Sequence, residues 1–457
     1  MDTTRSDVAH LYRRAGFGGR PAELDAAASA GYQATVDSLL AGLGPAPDPA
    51  GDGVVVPTFA PFQVPTGAPG TPGRLAANKA LLASFRQELY PLQEWWLNRM
   101  IVTSTPLREK MTLLWHGHFA TAVSKVRDPN LMYLQNQLFR RAGGGSFEDL
   151  TQAVAKDGAM MVWLDTSTDK KAHPNENFSR ELMELFTLGV GSYSQGDVEA
   201  AAAAFSGWTY ERATNQWALR PAQHDGSTVT FLGQSGQLSG EEVISIILAQ
   251  PASARFVVAK VWSQLAYPVS PADPVVDDLL GAYTPSYDIA GLLRAVFMHP
   301  GFLSPPTRTG LVKQPIEYVV GAARALRLDA GGEPLDPASA MPVAPSGRPV
   351  GPTLVTAATA LAQTPFDPPN VGGWPQNEYW LNTATALARL RVAGLMVARA
   401  DLSAVDATPT SQRPALVAQM LGLDPWGPTT AAALAHVASD AKDLVALALN
   451  APEYVLN

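Results

Sequence analysis

Residues 174–191, PNENFSRELMELFTLGVG, decide the reading of this chain, because nowhere else do so many charged and amide side chains sit in so apolar a context. The pattern predicts an α-helix of about four turns. Asn175 is placed to cap its start, Glu176 sits where a carboxylate favours the positive helix end, and Gly189 is placed to stop it. Phe178, Leu182, Leu185, Phe186 and Leu188 give it a broad buried face. The other face carries Glu176, Arg180 and Glu184 at i+4 spacing, with Asn177, Glu181 and Glu184 in a second row close enough to interact. Such rows fit either a solvated Glu–Arg–Glu ladder or a partly buried site in which Arg180 keeps the carboxylates ionised.

The flanking sequence is helical on both sides. Upstream, Pro106 opens a helix through REKMTLLWHGHFAT, residues 108–121, on which Met111, Trp115 and His118 share a stripe, so that His118 faces the core. His116 lies about 200° around the same helix. An aromatic helix from Arg74 to about Val102, carrying Trp95, Trp96 and Arg99, precedes it. Downstream, Ser194 and Asp197 form a capping box. Alternating residues around Thr214 and Asn215 then read as a hairpin, and with the following stretch define one small β insert over 208–233. Pro/Gly-rich segments at 44–73 and 329–352 read as a wrapping arm or surface loops. The expected fold is mainly α, a single large multi-helical domain over 1–457 with a small β-hairpin insert.

Composition narrows the function classes. A chain of 457 residues, 46% hydrophobic and 16% charged, is globular with ample core. Its net charge of −8 and lack of a basic run argue against a nucleic-acid partner. With no cysteine, disulfides, thiolate nucleophiles and thiolate metal sites are excluded, so a metal would need His, Asp or Glu. The opening MDTTRSDVAHLYRRAGFGG has no apolar signal-peptide core, and no later apolar run reaches the roughly 18 residues of a membrane helix. The expectation is a soluble chain without a membrane span, its localisation left open.

The candidate chemistry gathers four stretches. His118, the helix face of Asn177, Arg180, Glu181 and Glu184, and the His224–Asp225 turn would supply general acid–base groups. Trp374, Trp380 and Arg99 would bind a substrate, the aromatic rings suiting a carbohydrate or another ring-bearing molecule. A divalent metal on His118, Glu181 and His224 is a variant of this reading, although no tight ligand motif is present. The alternative is a non-catalytic binding or assembly protein in which the charges only fix helix packing.

HLYRRAGFG (10–18), the 108–121 stretch, LDTSTDKKAHPNENFSRELMELFTLGVGSYS (164–194), HDGSTVTFLG (224–233), VKQPIEYVVGAARAL (312–326) and PFDPPNVGGWPQNEYWLN (365–382) together resemble the bacterial family numbered eighteen hundred among domains of unknown function. The resemblance implies export of many members and a protein partner similar to a sulfatase or phosphatase relative. This chain departs from it by lacking an export signal and by carrying Val229 or its neighbours in HDGSTVTF where members often have a Lys. A second, looser resemblance, to haem peroxidases, rests on the Trp/His helix paired with an Asn/Arg/Glu-rich helix and would imply a haem.

Overall fold

The computed structural model describes residues 4–44, 47–62, 67–212, 214–328 and 353–457, so the segment expected as a loop at 329–352 lies outside the described residues. Thr71 and Pro72 start a 31-residue helix, Pro72–Val102, whose first half is exposed and whose aromatic end, from Tyr90, is driven into the interior. The helix Pro106–His118 follows and is buried on every side. The helix Pro129–Ala142 lies against it, joined by Trp115 Nε1 donating to the Gly143 carbonyl at 2.7 Å.

Two large clusters of buried apolar side chains make up most of the core, beside a small third one of Val8, Ala9, Leu24 and Ala27. One contains Trp115, Phe119, Phe147, Phe186, Phe205 and Trp262, and the other Trp95, Trp96, Phe366, Trp380 and the helix Pro315–Ala325. The helix Pro106–His118 feeds both, with Leu107, Met111 and Leu114 on one side and Leu113 on the other. Trp163 and Tyr210 pack against both clusters. The chain is therefore a single mainly helical domain, as its patterning implies.

The β insert differs in detail from expectation. It is two separate antiparallel hairpins, β1 (Trp208–Glu211) with β2 (Gln216–Leu219) and β3 (Val229–Phe231) with β4 (Gln234–Gly236), the second running three residues past 233. Asn215, at φ 53°, makes the first turn as expected. His224 does not turn the chain back between them. Its Nδ1 meets the Ser206 carbonyl at 2.9 Å, which pins the segment between the hairpins to the end of the helix Gln195–Phe205.

The decisive stretch also departs from a plain α-helix. Asn175 Oδ1 accepts from the Asn177 N–H at 3.0 Å, a cap close to the expected place. The α-helix runs only over Asn177–Glu181, and Leu182–Thr187 is a π-helix. The Thr187 hydroxyl donates to the Leu182 carbonyl, and the Leu188 and Gly189 N–H groups reach back to the Met183 carbonyl, before Gly189 turns the chain at φ 80°. The wider winding shifts the residues after Leu182 from their α-helical places, and Glu184 bonds to Tyr193 while Arg180 pairs with Glu176.

The expected 44–73 arm contains a short helix, Pro49–Asp52, capped by Asp48. The first helix, Arg5–Ala15, is clasped by distant chain: His10 Nε2 meets the Phe302 carbonyl at 3.1 Å, Arg13 donates to the Gly422 carbonyl, and Arg14 donates to the Thr307 and Asn457 carbonyls. Among the described residues no single helix is long and apolar enough to cross a membrane.

Candidate functional site

The structure distributes the expected site residues over several places. His118 is buried, and its Nε2 meets the Phe186 carbonyl of the π-helix at 2.9 Å. The two segments do pack together, but the contact is ring to backbone. No hydrogen bond or ion pair joins His118 to Glu181 among the described residues. Burial, reinforced by the charge of Lys260, pushes the His118 imidazole down to about 3, so it is neutral near pH 7. His116 is likewise pushed down to about 3 by burial and is enclosed by Trp96, Phe366 and Trp374, with ring centroids 5.2–5.4 Å away. Phe119 lies at 4.6 Å and Trp115 at 5.5 Å from the His118 ring. A flat macrocycle has no approach to either ring without displacing these aromatics, so the two histidines do not fit a haem.

Arg180 pairs with Glu176 at 2.7 Å, but the side chains are 39% and 35% exposed, and Gln195 shares the guanidinium. Glu184 accepts from the Tyr193 hydroxyl at 2.8 Å. Burial and the neighbouring Glu184 raise the Glu181 carboxyl above its ordinary range, with Arg180 opposing. This is the solvated ladder of the two readings, with one half-buried carboxyl. The Asn177 side chain caps nothing, its backbone N–H being the group that Asn175 receives.

His224 and Asp225 are anchoring groups. Besides the His224 bond to Ser206, the Asp225 N–H donates to Ser206 Oγ at 2.7 Å and its carboxylate pairs with Lys171 at 3.2 Å. Among the described residues no group of three or more His, Asp or Glu side chains could hold a metal ion, so His118, Glu181 and His224 do not form the metal site considered above. Trp380 is buried in the second core, and its carbonyl receives Thr385 and Arg389. Trp374 is nearly buried against His116.

Arg99, another expected site residue, lines an open cleft. Its Nε donates to Glu109 Oε1 at 2.8 Å, Nη1 to the Gly51 carbonyl at 2.8 Å, and Nη2 to Asp52 Oδ1 at 2.8 Å, with Asp48 at 3.4 Å. Glu109, fully buried, also takes a two-point contact from Arg140, Nε at 2.6 Å and Nη2 at 2.8 Å, and a third donor from Trp96 Nε1 at 3.2 Å. Burial alone would raise this carboxyl, but Arg140 and Arg99 outweigh it and hold it below its ordinary value. Arg108 is fixed by the Gly42 and Gly44 carbonyls at 2.7 and 2.6 Å.

Arg140 lies with its guanidinium carbon 5.3 Å from the centre of the Trp95 ring, and its Nη1 is buried with no hydrogen-bond partner. Arg141, next along the helix, is exposed and makes no hydrogen bond or ion pair with any described residue. These four arginines line a cleft of about 760 Å³ whose remaining wall includes Leu40, Leu43, Gln137 and Ala290. Sequence reasoning found Arg99 and missed Arg140 and Arg141. An Arg-Arg pair before GGG reads as ordinary charge at a helix C-terminus, and the carboxylate that organises them lies 31 residues away.

A family model described as a protein of unknown function (DUF1800) matches residues 10–456. No curated protein and no solved structure matches the chain.

Proposed function

The chain belongs to the DUF1800 family, which carries no assigned activity, and we propose that it is a small-molecule binding protein whose ligand site is the Arg99–Arg140 cleft. One observation carries this reading: four guanidinium groups line one open cleft of about 760 Å³, and one of them, Arg141, is exposed and pairs with no described residue. The cleft volume falls within the range of about 300–1,000 Å³ common to ligand sites. Its two organising carboxylates, Glu109 and Asp48, are already saturated by donors, which favours binding over proton transfer at this place.

A second reading, an acid–base enzyme, has one observation in its favour. The half-buried Glu181 carboxyl is raised above its ordinary range by burial and by Glu184, the direction that suits a general acid. The cleft reading is tested by ligand-observed NMR of the full chain with a fragment set of mixed charge. The variant Gly145→Trp serves as the block, since Gly145 lines the cleft and a side chain there would first meet only the Ala142 carbonyl, at 3.5 Å. Fragment signals lost in Gly145→Trp support the reading. Fragments that bind both proteins alike, or only proteins with Glu181 intact, overturn it.

A further inference from the structure

A second cavity, sharing no lining residue with the Arg99–Arg140 cleft, lies where the first helix meets the C-terminal helices, and we infer that it binds a neutral, largely apolar small molecule. It measures about 580 Å³, within the range of about 300–1,000 Å³ common to ligand sites. Three helices wall it. The first, Arg5–Ala15, supplies Arg5, Ser6 and Ala9, and the helices Arg413–Met420 and Pro428–Val437 supply most of the rest, together with the link between them.

The space follows from what faces it. Ala415 and Ala418 lie on one helix and Ala431 and Ala435 on the other, at spacings of three and four residues that keep each pair on one face. Side chains this short leave a gap between the helices. Bonds elsewhere hold the helices from closing on it. Arg413 Nη1 donates to the Ala438 and Ser439 carbonyls at 3.0 and 2.9 Å, which ties the start of one helix to the end of the other. Trp426 Nε1 donates to the Pro414 carbonyl at 2.7 Å, and Glu453 accepts from the Gly427 N–H at 2.9 Å and the Thr430 hydroxyl at 3.0 Å. The Trp426 ring is thus a fixed aromatic part of the wall, and Leu423 adds carbon to it.

Charge decides the class of ligand. Among the described residues two charged side chains line the cavity, Arg5 and Asp424, and each is balanced from outside it. Arg5 pairs with Asp25 at 2.6 Å, and Asp424 lies 3.7 Å from Arg308, which also pairs with Asp7. An ionised ligand of either sign would give up water here without gaining a free counter-charge. A neutral one loses nothing of the kind. The uncharged side chains of Ser411 and Gln419 are exposed and hydrogen-bond to no described residue, so one hydroxyl or amide on the ligand finds a partner at the rim.

Titration calorimetry of the full-length chain at neutral pH with 2-naphthol, 2-naphthoate and 2-naphthylmethylammonium tests this, each with the parent, Ala435→Trp and Gly145→Trp. Ala435 is exposed on its helix, so a larger side chain there fills the cavity without entering the core, and Gln419→Trp, equally exposed, is a second block. 2-Naphthol is expected to bind about ten-fold or more tighter than either charged probe. It should weaken about ten-fold or more in Ala435→Trp and in Gln419→Trp, and be unchanged in Gly145→Trp. Hydrogen exchange with 2-naphthol bound should slow at residues 5–15 and 413–437. Equal affinity for the three probes, full affinity in both blocked variants, or protection confined to other segments overturns the inference. So does a parent that sediments as a dimer while Ala435→Trp is a monomer, since the cavity is then the seat of a second copy. Fragments lost in Ala435→Trp and kept in Gly145→Trp belong to this cavity, so the two sites stand or fall separately.

Discussion

Glu109 carries more of this structure than any residue of the decisive stretch. It is fully buried between Arg99 and Arg140, so Glu109→Gln leaves two buried guanidinium groups short of a counter-charge, and the expected loss is about 3–5 kcal/mol by urea denaturation. Arg180→Ala, in contrast, breaks a pair open to water on both sides and should cost no more than about 0.5 kcal/mol. If the two variants denature alike, the buried triad is not the stronger element. A second residue sets a pH dependence. Burial pushes the Asp157 carboxyl up to about 7 against hydrogen bonds from the Met160 N–H and Gln135. The folded chain thus holds this proton well above the unfolded value of about 3.9, so the contribution is complete below about pH 4 and is lost as pH rises toward 7. Asp157→Asn keeps the helix cap and cannot ionise, so denaturation midpoints should show it gaining on the parent between pH 4 and 7 and staying ahead at pH 8. A constant offset across that window would contradict the assignment. Sequence alone exposed the charges of residues 175–184 because they are neighbours on one helix. It could not weigh them, since the exposure of Arg180 and the burial of Glu109 depend on segments far away.

At the scale of elements, helix type and place were largely legible, because caps, Pro at first turns and apolar periodicity act locally, as at Pro106 and Ser194. The π-helix was not. Its residues have the composition of an α-helix, and what marks it is a local bond from the Thr187 hydroxyl five residues back to Leu182 together with one tertiary contact, the ring of His118 reaching the Phe186 carbonyl. The histidine therefore acts on an element it does not belong to. His118→Leu keeps the apolar contacts and leaves that carbonyl without its donor, so the expected loss is about 1–3 kcal/mol. Hydrogen exchange should localise it to Leu182–Thr187. Uniform loss of protection, with none concentrated there, would mean that the imidazole is merely packing.

At the scale of the whole molecule, the two core clusters share the buried helix Pro106–His118, so neither side can melt without exposing leucines and tryptophan that the other needs. Tryptophan fluorescence and far-UV circular dichroism should report coincident unfolding transitions in urea, and two separable midpoints would show that the clusters are independent folding units. The clasp around the first helix has a consequence for how the chain is made. Arg13 is 409 positions from Gly422 and Arg14 is 443 from Asn457. At ribosomal speeds of about 5–20 residues per second, those acceptors follow their donors by roughly 20–90 s. Asp25, Phe302 and Thr307 are available to the first helix earlier, so only its bonds to Gly422 and Asn457 wait for the end of that interval. A nascent chain stalled before Gly422 emerges should leave Arg13 and Arg14 short of those acceptors, and protease should cut residues 5–15 faster there than in the finished chain.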